Sequence, residues 1–192
     1  WPERITLKEL QDKPRGMSPY HWSAMFQQHP TPEEGGAVKR KWWKFYTVLP
    51  SEMDQQIQSW DLSFKDLRKA DFTVGQVWGR KGAEFYLISQ TRDRMDAPEM
   101  ISALRNLWRL HPNAIGKLIE DRANGPALIA LLSKEVPGMI PIKPKASKDA
   151  RLSAVIPMIE AGNVYLPHPS IAPWITEFVE ECAAFPNATN DD

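Results

Sequence analysis

Apolar and polar positions alternate with two different periods along this chain, and the change between them outlines its elements. Residues 57–64, 72–79 and 84–89 follow the two-residue period of strands with one buried face. The second and third are joined by Arg80-Lys81-Gly82, a hairpin signal. From Ala97-Pro98 the period lengthens, with Met100, Ile101, Leu104, Leu107 and Trp108 at helical spacing up to Leu110. A short apolar strand over 114–119, a helix over 126–132 and an extended stretch at 139–142 follow. Ser147 caps a helix running to Glu160, which Gly162 ends. Residues 163–166 are extended, and 171–184 form a last amphipathic helix.

The first fifty residues read differently. They are rich in proline, with a helix over 18–28 capped by Ser18 and started by Pro19. His29-Pro30-Thr31-Pro32 stops it, because a residue preceding proline is pushed out of the helical region. Glu33-Glu34-Gly35-Gly36 makes a loop, and Trp42-Trp43 anchor the segment. Residues 1–50 are therefore expected to be an arm or linker, and 51–192 a domain.

Three strands in a meander, followed by helix, strand, helix, strand and helix, predict an α/β domain. Right-handed crossovers would add parallel strands to the three antiparallel ones and place helices on both faces of the mixed sheet. That order of elements is the order of the ribonuclease-H-like fold.

Composition narrows the classes without deciding among them. The 24 basic and 24 acidic residues cancel, so any basic surface for nucleic acid must be local. A single cysteine, Cys182, excludes an internal disulfide or a thiolate zinc cage and fits a reducing compartment. No apolar run approaches the ~20 residues of a membrane span, and the start has no signal-peptide pattern. No Gly-x-x-x-x-Gly-Lys-Ser/Thr loop occurs, so an ATP site of that kind is not expected. The four histidines have no zinc-site or triad spacing.

Carboxylates carry the candidate chemistry, since chemistry in such sheets gathers where strand ends meet. Asp61 lies between Trp60 and Leu62, and an acid within an apolar strand is costly unless it is paired or bound to metal. Glu120 and Asp121 follow the fourth strand, and alternation lets only one of them share a face with the site. Asp191 and Asp192 close the chain. Asp71 reads as a turn residue, and Asp66, Asp93 and Asp96 as solvated. The one basic stretch holds Lys143, Lys145, Lys148 and Arg151.

These stretches resemble the nuclease domain of tailed-bacteriophage and prophage terminase large subunits. The likeness rests on Ser59-Trp60-Asp61, Ala70-Asp71-Phe72-Thr73-Val74-Gly75, and Ile119-Glu120-Asp121 through Gly125. It continues in Lys148-Asp149-Ala150-Arg151, in Ile159-Glu160-Ala161-Gly162-Asn163-Val164-Tyr165-Leu166-Pro167, and in Asn190-Asp191-Asp192. Phe26-Gln27-Gln28-His29-Pro30 before Glu34-Gly35 resembles the family's link from motor to nuclease.

The resemblance implies a ribonuclease-H-like endonuclease that cuts double-stranded concatemeric viral DNA during genome packaging. It implies two Mg2+ or Mn2+ ions held by Asp61, Asp121 and Asp192, with Asp191 and Glu120 as alternates. Oxygen donors are what these hard cations prefer. Lys148 and Arg151, with Lys145 and Lys143, are the expected DNA-backbone contacts. The family's helix after the third acid would continue past Asp192, so the domain is expected to be cut short there. An N-terminal ATPase domain, the portal protein and the terminase small subunit are the implied partners, acting in the host cytoplasm with no membrane. The alternatives are a non-catalytic DNA-binding or capsid-docking module of this fold, or a resolvase- or transposase-like nuclease.

Overall fold

Strand-forming runs at 55–61, 73–81, 84–93 and 114–120 pair with one another to build the central sheet. The computed structural model describes residues 36–63, 72–120 and 125–185. The strands are β1 (Lys44–Tyr46), β2 (Gln55–Asp61), β3 (Thr73–Lys81), β4 (Glu84–Asp93), β5 (Ala114–Glu120), β6 (Met139–Ile142) and β7 (Val164–Pro167). The helices are α1 (Ala97–Leu110), α2 (Gly125–Leu132), α3 (Lys148–Glu160) and α4 (Ile175–Ala184). The seven strands lie in the order β1-β7-β4-β3-β2-β5-β6.

The meander β2-β3-β4 is antiparallel, and β5, β6, β7 and β1 join it by parallel pairing. The β3–β4 turn is Gly82-Ala83, one residue later than the hairpin signal suggested, because Lys81 still pairs with Glu84. Gly82 takes φ +60°, the positive value that tight hairpin turns need, and its N–H donates to the Asp54 carboxylate at 2.6 Å.

The β4–α1–β5 and β5–α2–β6 crossovers move the same way across the sheet, while β6–α3–β7 returns. Right-handed crossing therefore puts α1 and α2 on one face and α3 on the other. The main core lies under α1: Trp60, Val77 and Ile119 of the sheet meet Met100, Leu104 and Leu107, with Leu132 and Val136 beside them.

Several boundaries differ from the sequence expectation. Lys44–Tyr46, inside the segment read as an arm, forms an edge strand on β7. Strand β4 runs on to Asp93, held by its ladder to β3. The last helix starts at Ile175, because Pro173 cannot donate a hydrogen bond and keeps Ala172 out of helical geometry. Asp96, read as solvated, is the N-cap of α1: it accepts from Glu99 N, and Glu99 accepts from Asp96 N, both at 2.8 Å. Asp93 likewise accepts from Arg94 N at 2.8 Å. Ser147 caps α3 by accepting from Ala150 N, as its position predicts. The helix expected over 18–28 and Asp66 and Asp71 lie outside the described residues.

The described residues fall into two compact units: one within Trp43–Pro173 holds the sheet, and residues 36–42 join 174–185 in the other. In the smaller unit a 3-10 turn, Arg40–Trp42, lies against α4. Its Arg40 grips Glu180 through two hydrogen bonds of 2.9 and 2.6 Å, and Gly36 N donates to Ala183 O. Among the described residues no helix is long and apolar enough to cross a membrane.

Candidate active site

Asp61 is the last residue of β2 and Glu120 the last of β5, and these neighbouring strands are parallel. Their ladder pairs Ser59 with Leu118 and Trp60 with Ile119. One step further along both strands brings Asp61 beside Glu120, on the same face and one strand spacing (~4.8 Å) apart. Alternation puts this face opposite to Trp60 and Ile119, which are buried in the core. Both acids are half-buried. Two carboxylates at that spacing could share a cation, and neither brings a nitrogen or sulfur donor.

The tryptophan before Asp61 holds β2 in place. Trp60 lies against Gly75, its partner on β3, and its ring N–H donates to Gln58 Oε1 at 3.1 Å. Gln58 pairs in turn with Lys117, a buried lysine whose ammonium reaches Ile115 O at 3.3 Å. Desolvation lowers the pKa of Lys117. The sequence offered a signal here in a lysine among Ile115, Leu118 and Ile119, but no reason to place it inside.

Across the meander, the row containing Asp61 continues through Val74 to Arg92. The next row on that face is Ser59, Gln76 and Gln90, in which Gln76 donates to Gln90 at 2.7 Å and accepts from Trp78 Nε1 at 2.9 Å. Polar residues thus fill the sheet face behind the acids. Sequence reading missed them because glutamine is unremarkable in a half-buried strand. On the other side, Ile142 of β6 pairs with Glu120, so Lys143 stands one step beyond the strand at the same sheet end. Lys145 is exposed, and Lys148 and Arg151 lie half-buried on the first turn of α3.

The profile of one family, the terminase RNaseH-like domain, matches residues 58–192, which is most of the chain. The chain belongs to this family. Comparison with curated proteins gives no match. Among solved structures, this terminase RNaseH-like domain is similar to a large terminase from a thermophilic bacteriophage, at 11% identity and a TM-score of 0.56. That match covers 92% of this chain and 44% of the other, so the domain spans less than half of that protein. The g2p large terminase nuclease domain of bacteriophage SPP1, with bound Mn, matches at 13% identity and a TM-score of 0.54, over 74% of this chain and 80% of that one. The large terminase nuclease of thermophilic phage G20c, with bound magnesium, matches at 14% and 0.53, over 79% and 81%. The shared fold is the ribonuclease-H-like mixed sheet that the order of elements predicted.

Of the acids expected in this terminase RNaseH-like domain, the described residues bring together Asp61 and Glu120. Asp121, Asp191 and Asp192 lie outside them. Among the described residues, no group of three or more His, Cys, Asp or Glu gathers. His111 is drawn below the usual histidine range by burial, and His168 Nδ1 lies 2.8 Å from Ser170 Oγ.

Proposed function

We propose that this chain is the nuclease part of a phage large terminase, a divalent-metal-dependent endonuclease that hydrolyses double-stranded viral DNA during packaging. The observation that carries the reading is the pair Asp61 and Glu120 on adjacent parallel strand ends. Family membership gives the acids their context.

The residues suit magnesium or manganese: both offer hard oxygen donors only. We assign the metal-binding role to Asp61, with Asp121 or Glu120 and then Asp192 or Asp191 completing the set. The register supports Glu120 as the neighbour of Asp61. When bound, a pair of such ions would activate water and neutralise charge at the scissile phosphate. Asp61 contributes a carboxylate in a fixed position, because Trp60 and Gly75 lock the strand immediately before it. The related structures from SPP1 and G20c, which hold Mn and magnesium, support this choice of cation.

In this reading residues 1–50, whose β1 pairs with the sheet edge at β7, form the arm from an ATPase motor and 51–192 the nuclease, and the whole protein works with the portal protein and the terminase small subunit at the procapsid in the host cytoplasm. Cleavage would need no ATP.

The test is a supercoiled-plasmid assay with Mn2+ or Mg2+ on the parent chain and on Asp61→Asn. We expect nicking and cutting without ATP by the parent. The variant should lose roughly 100-fold or more, as removal of a charge-stabilising group does elsewhere, with unchanged circular dichroism. Equal cutting by Asp61→Asn would remove Asp61 from the site. A parent inert with every divalent ion would instead favour a non-catalytic module of the same fold.

A further inference from the structure

Ser63 carries a hydroxyl oxygen that is buried and has no hydrogen-bond partner. Its backbone, by contrast, is tied down. The Ser63 N–H donates to Thr73 Oγ1 at 3.2 Å, and the Thr73 hydroxyl turns back to Ser63 O at 3.5 Å. Thr73 is the first residue of β3 and fully buried, so the chain just beyond β2 stays against its neighbour. Leu62 lies in the core under α1 together with Trp60. Asp61 and Ser63 therefore both fall on the opposite face, about 7 Å apart along the chain. A serine hydroxyl offers one donor and two acceptor lone pairs, and a buried polar atom that meets none of them is uncommon and costs free energy. Here the unmet oxygen stands beside the acid at the centre of the site.

We propose that the Ser63 hydroxyl is an outer partner of the divalent cation at Asp61, accepting a hydrogen bond from the water that a hydrated cation keeps. The inference rests on the metal-dependent reading and adds to it a residue that is not an acid. Magnesium gives up its waters reluctantly and binds proteins through one or two carboxylates, so the remaining waters need acceptors around them. Partners of this outer kind orient a metal site and tune its affinity. A neutral hydroxyl suits the task, because it accepts from a water without adding to the repulsion among carboxylates. The hydrogen bonds to Thr73 fix the backbone of Ser63, so its oxygen is in place before any cation arrives. Ser63 acts through that water and is a positioning residue.

The experiment titrates Mn2+ into the whole chain without DNA, by calorimetry, and measures urea midpoints in chelator. For Ser63→Ala the Mn2+ affinity should fall about 10-fold, the size of effect that outer partners of metal sites have. Its midpoint in chelator should equal the parent's or exceed it, because an unmet buried hydroxyl has been removed. These two readouts move in different directions, which a serine that merely held the fold would not produce. Ser63→Thr keeps the hydroxyl and should keep most of the affinity. An Mn2+ affinity in Ser63→Ala equal to the parent's overturns the role and leaves the hydroxyl to ordinary water. A lower midpoint in chelator, or an equal loss of affinity in Ser63→Thr, overturns it as well, since packing would then explain the effect. In each of these cases a parent that binds Mn2+ and cuts plasmid keeps the nuclease reading intact. A parent that binds no Mn2+ overturns both.

Discussion

Trp60 lies across Gly75 on the neighbouring strand so closely that a β-carbon at Gly75 would fall 2.5 Å from the indole ring. The two are direct partners in the β2–β3 ladder, and the ring is 2% exposed. No side chain fits between them. Gly75→Ala should therefore destabilise the domain by roughly 1–3 kcal/mol, the usual cost of overpacking a core. Since the residue after Trp60 is Asp61, cleavage should fall as well, even at temperatures where the variant remains folded. Urea denaturation and plasmid cleavage on the same preparation check this. An unchanged midpoint would mean that the ring can move aside.

Glu120 and Asp121 make opposite claims on the place beside Asp61 in the proposed metal site. The β2–β5 register puts Glu120 beside Asp61, whereas the family resemblance favoured Asp121. If the register decides, Glu120→Gln should abolish cleavage and cut Mn2+ affinity by about 10-fold or more, and Asp121→Asn should do much less. Titration calorimetry with Mn2+ separates the two. The reverse order of effects would assign the position to Asp121.

Lys148 and Arg151 begin α3, shortly after Lys143 and Lys145. Replacing Lys148 and Arg151 by Ala should weaken duplex binding equally for unrelated sequences and flatten its salt dependence by about 1 for each charge removed from the DNA backbone. Binding isotherms at several salt concentrations provide the measurement. A salt slope equal to the parent's would return both residues to ordinary surface positions.

Tyr46 and Tyr86 predict a loss of stability at alkaline pH. Burial pushes Tyr46 up to about 12, and its hydroxyl donates to Leu87 O at 2.7 Å. Tyr86 is pushed up to about 12 by burial first, then by its hydrogen bond to Glu84 and that group's charge. An unfolded tyrosine ionises near 10, so between 10 and 12 the folded state holds protons that the unfolded state has released. Their contribution is complete below pH 10 and is lost as pH rises through 12. Lys117 acts in the opposite sense, because burial lowers its pKa and charging it opposes folding. Urea midpoints between pH 10 and 12 should fall for the parent, and fall less steeply for Tyr46→Phe with Tyr86→Phe. Parallel curves would disprove the assignment.

Periodicity is a local property, and what it encodes was readable directly. The two-residue alternation in β3 and β4, the helical spacing of Met100, Leu104 and Leu107, the Ser147 cap and the turn at Gly162 each depend on residues a few positions apart. The Asp96 cap of α1 is equally local: an acid three residues before Glu99 makes a capping box, although an exposed aspartate also fits solvent. The order of elements, together with motifs resembling a known family, was enough to predict the ribonuclease-H-like sheet and to single out Asp61.

Only the tertiary structure decided which strand stands beside which. Glu120 lies 59 positions after Asp61 and Arg92 lies 31 after it, and no local pattern says that both share its row or its face. A shift of one residue in the β2–β5 register would move every side chain of one strand to the other face. The burial of Trp60 over Gly75 and of Ile119 in the core prevents that shift. The same holds for β1, a strand of three residues whose sequence is too short to carry a period and which exists because β7 offers it a parallel edge. Residue chemistry was thus written along the chain, while its convergence came from long-range packing, where burial across distant segments outweighs any local preference.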